Sequence, residues 1–266
     1  MSFAELASAN VVGYQERPTG KSGWTLITGT FKNIGEGIKT LSDVTVNDVW
    51  DPTGDNIQFL DEGGGTRVRS DSYQAVYTYL NADWASSMGT TAGWYQVDAL
   101  MNDGLFLPPE ENDDFSYGAG AVVQTGSTES GLTCSGEVPK GPQTILAVKS
   151  GWNIIGNPLP IDMTLSDVTA NDVWDPTGDN IQFLDEGGGT RVRSDSYQAV
   201  YTYLNADWAS SMGTTPGWYQ VDALMNDGLF LAPEESDNDI KAGSAFIVQT
   251  SSDSSGVQFK AALPLE

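Results

Sequence analysis

The chain carries one 72-residue block twice. Residues 40–111 return as residues 164–235 with three differences: Val46 becomes Ala170, Ala92 becomes Pro216 and Pro108 becomes Ala232. Near-identical sequence has near-identical local preferences, so the strands and turns that suit the first copy suit the second as well. An active site is seldom needed twice in tandem. A repeated building block, or a repeated low-affinity binder, is the commoner use of such a doubling. The repeat therefore speaks to architecture first and points to no substrate.

The likeness extends beyond the block. Lys21-Ser22-Gly23-Trp24 answers Lys149-Ser150-Gly151-Trp152, Val123-Gln124-Thr125 answers Val248-Gln249-Thr250, and Gly131 to Pro139 lines up with Gly256 to Pro264. The 266 residues thus divide into an N-terminal strand or extension (1–19), a first repeat (20–139), a linker (140–144) and a second repeat (145–264). Each repeat has enough residues for its own core. The linker is short, so the repeats are expected to touch and to hold a fixed orientation. Ala9 to Gln15 reads as a strand with two destinations, its own repeat or a neighbouring subunit.

Within a repeat the hydrophobic period is two. Tyr73 to Leu80 alternates, with Tyr73, Ala75, Tyr77 and Tyr79 on one face. Further strands are expected at Trp24–Thr28, Ile57–Leu60, Gly93–Ala99, Leu105–Leu107, Ala119–Gln124 and Leu132–Val138. Turns rich in Gly, Asp and Pro separate them, among them Asp51 to Asp55 and Asp61 to Gly65. Only Leu41 to Val49, capped by Thr40 or Ser42, reads as a helical turn or two. The expected fold is all-β: two tandem homologous β-sandwich or small-barrel domains with at most short helical turns.

Composition removes several functions. Thirty-six acidic against twelve basic side chains give a formal charge of −24. That disfavours nucleic acid and anionic membranes, which need a basic footprint. It suits a solvated acidic surface or bound cations. The absence of histidine excludes Ser-His-Asp and Cys-His catalysis and histidine metal sites. Cys134 is the sole cysteine, so the chain can form neither an internal disulfide nor a thiolate zinc site. Its counterpart is Phe259, which marks a buried apolar position. No apolar run is long enough to cross a bilayer as a helix, so membrane insertion is not expected. Met1 to Ala9 has no basic start and no long apolar stretch. It is no intact signal peptide, and the chain is expected to begin where one was removed.

Gly151-Trp152-Asn153-Ile154-Ile155-Gly156 opens the second repeat, Thr164-Leu165-Ser166-Asp167-Val168 follows, and Lys241 to Val248 (KAGSAFIV) precedes a last strand. This order resembles the Gly-Trp-Asn type β-domains of bacterial secreted and cell-surface proteins. The first repeat departs from it in two places, with Thr25 for the Asn and Ala121-Val122-Val123 lacking the aromatic of Phe246. The resemblance implies a non-catalytic, exported β-domain and brings no catalytic residues. Trp24 and Trp152 are expected to bury their rings, with the preceding glycine allowing close backbone approach.

Three constellations are candidates for chemistry. Asp51, Asp55, Asp61, Glu62 and Asp71 recur as Asp175, Asp179, Asp185, Glu186 and Asp195, and oxygen ligands in glycine-rich turns suit Ca²⁺. Turn capping by Asp is the competing explanation. The aromatic side chains Tyr77, Tyr79, Trp84 and Trp94, repeated as Tyr201, Tyr203, Trp208 and Trp218, suit a core, a subunit interface or a sugar platform. Arg67 and Arg69, with Arg191 and Arg193, lie two apart on one strand face. They would bridge to Asp61 or Asp71 within the repeat, or to an acidic patch on another subunit. The adjacent carboxylates Asp61-Glu62 and Glu110-Glu111 make no glycosidase pair, because neighbours on a strand point to opposite faces.

The expectation is therefore a non-enzymatic structural protein, extracellular or on the cell surface. It would assemble with copies of itself by head-to-tail contact into a filament, surface lattice or matrix. Its one cofactor candidate is Ca²⁺. The alternative is a tandem carbohydrate-binding or adhesion module that meets cell-surface polysaccharide through two sites.

Overall fold

A computed structural model describes residues 12–20, 22–30, 41–60, 73–97, 118–138, 141–184, 197–221 and 239–260. In the first half the strands are β1 (Val12–Pro18), β2 (Gly23–Thr28), β3 (Val44–Val46), β4 (Asn56–Leu60), β5 (Tyr73–Leu80), β6 (Gly93–Gln96), β7 (Gly120–Thr125) and β8 (Gly131–Glu137). A short helix, α1 (Ala82–Ser87), joins β5 to β6. Two antiparallel sheets result, one of order β2-β7-β4-β5-β6 and one of order β1-β8-β3. Leu41–Asp43 is a single 3-10 turn leading into β3, shorter than the helix expected over Leu41 to Val49.

The second half has the same order. Its strands are β9 (Gln143–Leu146), β10 (Gly151–Gly156), β11 (Met163–Thr164), β12 (Val168–Ala170), β13 (Asn180–Leu184), β14 (Tyr197–Leu204), β15 (Gly217–Gln220), β16 (Asp239–Ile240), β17 (Ala245–Thr250) and β18 (Gly256–Phe259), with α2 (Ala206–Ser211) between β14 and β15. The sheets run β10-β17-β13-β14-β15 and β12-β18-β9, and β11 pairs with β16. The N-terminal strand β1 pairs with β8 of its own half, as β9 pairs with β18. The sequence linker 140–144 thus contains the start of β9.

Each half is a sandwich because alternation gives every strand one apolar face. Ile27, Ile57, Phe59, Tyr77, Trp94, Ala121 and Val123 from the five-stranded sheet meet Val44, Leu132 and Cys134 from the three-stranded one. The second half fills the same space with Ile155, Ile181, Tyr201, Trp218, Phe246, Val248, Val168, Val257 and Phe259. Cys134 and Phe259 are both buried and pair with Val44 and Val168 in matching registers, as their alignment implies.

A third apolar layer lies between the halves. Trp24, Leu26, Leu60 and Val122 pack with Trp152, Ile154, Leu184, Ala245 and Ile247. These are the outward faces of β2, β4 and β7 against those of β10, β13 and β17, so the sheets stack three, five, five, three. Both Trp rings are buried as the sequence implies, and they seal one half against the other. The seam also has backbone bonds, from Thr28 N–H to the Gly243 carbonyl (2.9 Å) and from Gly156 N–H to the Gly118 carbonyl (3.1 Å). Glycine is required where the halves approach. A Cβ on Gly156 would sit 2.5 Å from the Ser244 carbonyl oxygen and from Thr28 Cγ2, and one on Gly120 would strike Ile154.

Candidate interaction site

The acidic turns resolve into structural parts. Asp55 is buried. One of its carboxylate oxygens accepts the Asp51 N–H (3.0 Å) and the other the Gly126 N–H (2.7 Å). Asp179 accepts the Asp175 N–H (3.0 Å), the Ser251 N–H (2.6 Å) and the hydroxyls of Ser251 and Ser255 (2.8 Å each). Exposed Asp51 and Asp175 each accept from the amide and hydroxyl of the Thr two residues on. The Thr177 amide, and then its hydroxyl, hold the Asp175 carboxyl below its ordinary range. These four carboxylates tie a turn to itself and to the end of β7 or β17. Among the described residues, no group of three or more metal-ligating side chains converges. Asp61, Glu62, Asp71, Asp185, Glu186 and Asp195 lie outside the described residues, as do Arg67, Arg69, Arg191 and Arg193.

The aromatic candidates separate into two groups. Tyr77, Trp94, Tyr201 and Trp218 are buried in the sandwich cores. The indole N–H of Trp94 donates to the Val44 carbonyl (2.7 Å) and that of Trp218 to the Val168 carbonyl (2.8 Å), which pins the two sheets together. Tyr79 and Tyr203 are half-buried and lie edge-on to those Trp rings at 5.4 and 5.2 Å. None of these six can serve as an open platform.

Trp84 and Trp208 differ. Each is 39% exposed, and they are the only exposed aromatic rings among the described side chains. Both sit on the short helices. Asn81 caps α1 by accepting the Trp84 N–H (3.0 Å), and Asn205 caps α2 by accepting those of Asp207 (3.1 Å) and Trp208 (3.0 Å). Ala85 packs with Leu80 and Tyr95 on the outer face of β5 and β6, and Ala209 packs likewise with Leu204 and Tyr219. With the alanine turned inward, the Trp one residue earlier is turned out. One helical turn on, Met88 (38% exposed) and Met212 (37%) lie on the same side as their Trp. Each half thus presents an apolar indole–thioether pair on a firmly capped turn.

The sequence signal for this site was a helix start. Asn81-Ala82-Asp83 and Asn205-Ala206-Asp207 follow a strand directly, with an Asn cap and an acid in the first turn. The pattern is only six residues long, so it is overshadowed by the strong β-alternation before it.

No family model matches the chain, and neither a curated protein nor a solved structure matches it.

Proposed function

We propose that this chain is a non-enzymatic structural protein of the cell exterior that assembles with copies of itself through its two Trp–Met patches. The observation that carries the reading is the recurrence of Trp84 with Met88 as Trp208 with Met212, equally exposed, on one body. An exposed indole beside a flexible thioether is the composition of protein interfaces, where Trp and Met are enriched. A sugar platform is less well supported, because the neighbouring aromatics Tyr79, Trp94, Tyr203 and Trp218 are taken up by the cores, and among the described residues each patch keeps a single exposed ring.

The contact between the halves uses equivalent surfaces on both and is therefore self-satisfied. Growth between chains must use other surfaces. A body with two like patches, each meeting a patch on another copy, links into open strings unless the angle closes a ring. The charge of −24 opposes association, so assembly is expected to strengthen as salt screens it. The exterior location follows from the resemblance to secreted β-domains.

Sedimentation and negative-stain imaging of concentrated protein at high salt test the reading. The wild type should form species well beyond a dimer. The double variant Trp84→Ala/Trp208→Ala should stop at a dimer or monomer while keeping its melting temperature. Growth of the double variant like the wild type would sink the proposal. A soluble glycan panel run in parallel should give no signal that depends on these two residues.

A further inference from the structure

Strand β9 is an edge strand, outermost in the order β12-β18-β9. Its outward side chains include Leu146 (51% exposed), and Val148 beyond its end is 62% exposed. Residues 141–148 contain no charged side chain and are flanked by Lys140 and Lys149, in a chain of net charge −24. Natural edge strands are guarded by charges, proline or bulges, and β9 has none of these within it.

The hydrogen-bond phase of this edge can be read from its partner. Leu146 lies opposite Gly256, and the Ala147 N–H donates to the Ser255 carbonyl (2.8 Å). Antiparallel ladders alternate, so Gln143, Ile145 and Ala147 turn their amides toward β18, while Thr144 and Leu146 turn theirs outward. Among the described residues no strand pairs with that side.

We infer that β9 is a docking edge for β9 of a second copy, paired antiparallel about Ile145. In that register Thr144 of each chain exchanges both backbone bonds with Leu146 of the other, and two three-stranded sheets become one of six. The choice of a second copy rests on charge. Two strongly acidic bodies repel least where a stretch without acids meets its like, and residues 141–148 are such a stretch. An interface this small belongs to the weak, transient class. The inference is independent of the Trp–Met patches.

The test therefore uses the Trp84→Ala/Trp208→Ala background, which removes those patches. At high salt and high concentration, sedimentation should show a monomer–dimer equilibrium. Leu146→Lys, which changes only an exposed side chain, should weaken it by about tenfold or more. Leu146→Pro removes one outward N–H and should abolish it. Hydrogen exchange at Thr144 and Leu146 should be fast in dilute monomer and slow as dimer forms. Protection of both amides at concentrations where only monomer sediments would mean that the chain covers its own edge, and would overturn the inference. So would a dimer indifferent to Leu146→Lys, or no dimer at any salt.

Discussion

Within the repeated block the two halves are wired alike. Trp50 donates its indole N–H to Thr78 Oγ1 (3.4 Å) and Trp174 to Thr202 Oγ1 (3.3 Å); Thr78 donates to the Asp55 carbonyl and Thr202 to the Asp179 carbonyl, both at 2.7 Å. At the frame around the block the wiring diverges. In the second half Asn153 is buried at the start of β10. Its Oδ1 accepts the N–H groups of Val148 and Lys149 (3.0 Å each), and its Nδ2 donates to the Lys149 carbonyl (2.8 Å). The first half has Thr25 there, and its opening turn is joined to β7 through Thr19 and Thr125, whose hydroxyls lie 3.1 Å apart. Asp179 gathers Ser251 and Ser255, where Asp55 gathers the Gly126 amide. Equal sequence gives equal local structure, whereas the long-range polar contacts depend on residues outside the block. Among the described residues, Asn153 and Asp179 of the second half gather more polar partners than Thr25 and Asp55 of the first.

The largest effect should come from the layer the halves share. Trp152→Ala and Trp24→Ala each remove a fully buried ring from it, at a cost of about 3–5 kcal/mol. Because both rings belong to one cluster, the double variant should cost less than the sum of the singles in denaturant unfolding. A large effect at Trp152 alone would break the symmetry between the halves.

Asp179→Ala should follow, at about 3 kcal/mol, against about 2 kcal/mol for Asp55→Ala. The difference arises because the alanine at 179 leaves two serine hydroxyls and two amides seeking partners, and the one at 55 leaves two amides. Equal losses in paired melts would show that the extra serine bonds contribute nothing net. Asn153→Thr copies the first half's residue into the second and strips the Val148 and Lys149 amides of their acceptor. A loss of about 1–2 kcal/mol is expected. No loss would mean that threonine can close this turn too, and that the two openings are interchangeable.

How far these contrasts could be read from the sequence depends on the residue. The period of two in Tyr73 to Leu80 suffices for β5, and the alignment of Cys134 with Phe259 locates a core position, because a site that takes either thiol or phenyl is apolar. The shared layer was less legible. Trp24 and Leu26 alternate with Thr25 and Ile27, so one face had to bury against something, but the identity of that something depends on packing between distant strands. The Asp turns were ambiguous for a different reason. A carboxylate that caps a turn and one that binds a cation have the same spacing, and only the amides that converge on Asp55 and Asp179 distinguish them. α1 is hard to read from the sequence because six residues give less than two turns of periodicity.

The smallest expected effect concerns Tyr203, half-buried beside Trp218. Burial raises its phenol above the ordinary tyrosine value, because the charged form would lose hydration. A raised acid contributes stability that is fully present below the unfolded value and is lost as pH rises through the folded one. The fold should therefore lose stability on the alkaline side of the usual tyrosine range. Tyr203→Phe keeps the ring against Trp218 and removes the proton. Other tyrosines titrate in both proteins, so the difference between the two stability–pH curves isolates this one. The curves should run parallel up to the ordinary tyrosine value and separate above it, the wild type falling faster. Curves that stay parallel throughout would mean that water reaches the phenolate in the folded state, and that the edge-on packing at Trp218 is looser than its 5.2 Å ring separation implies.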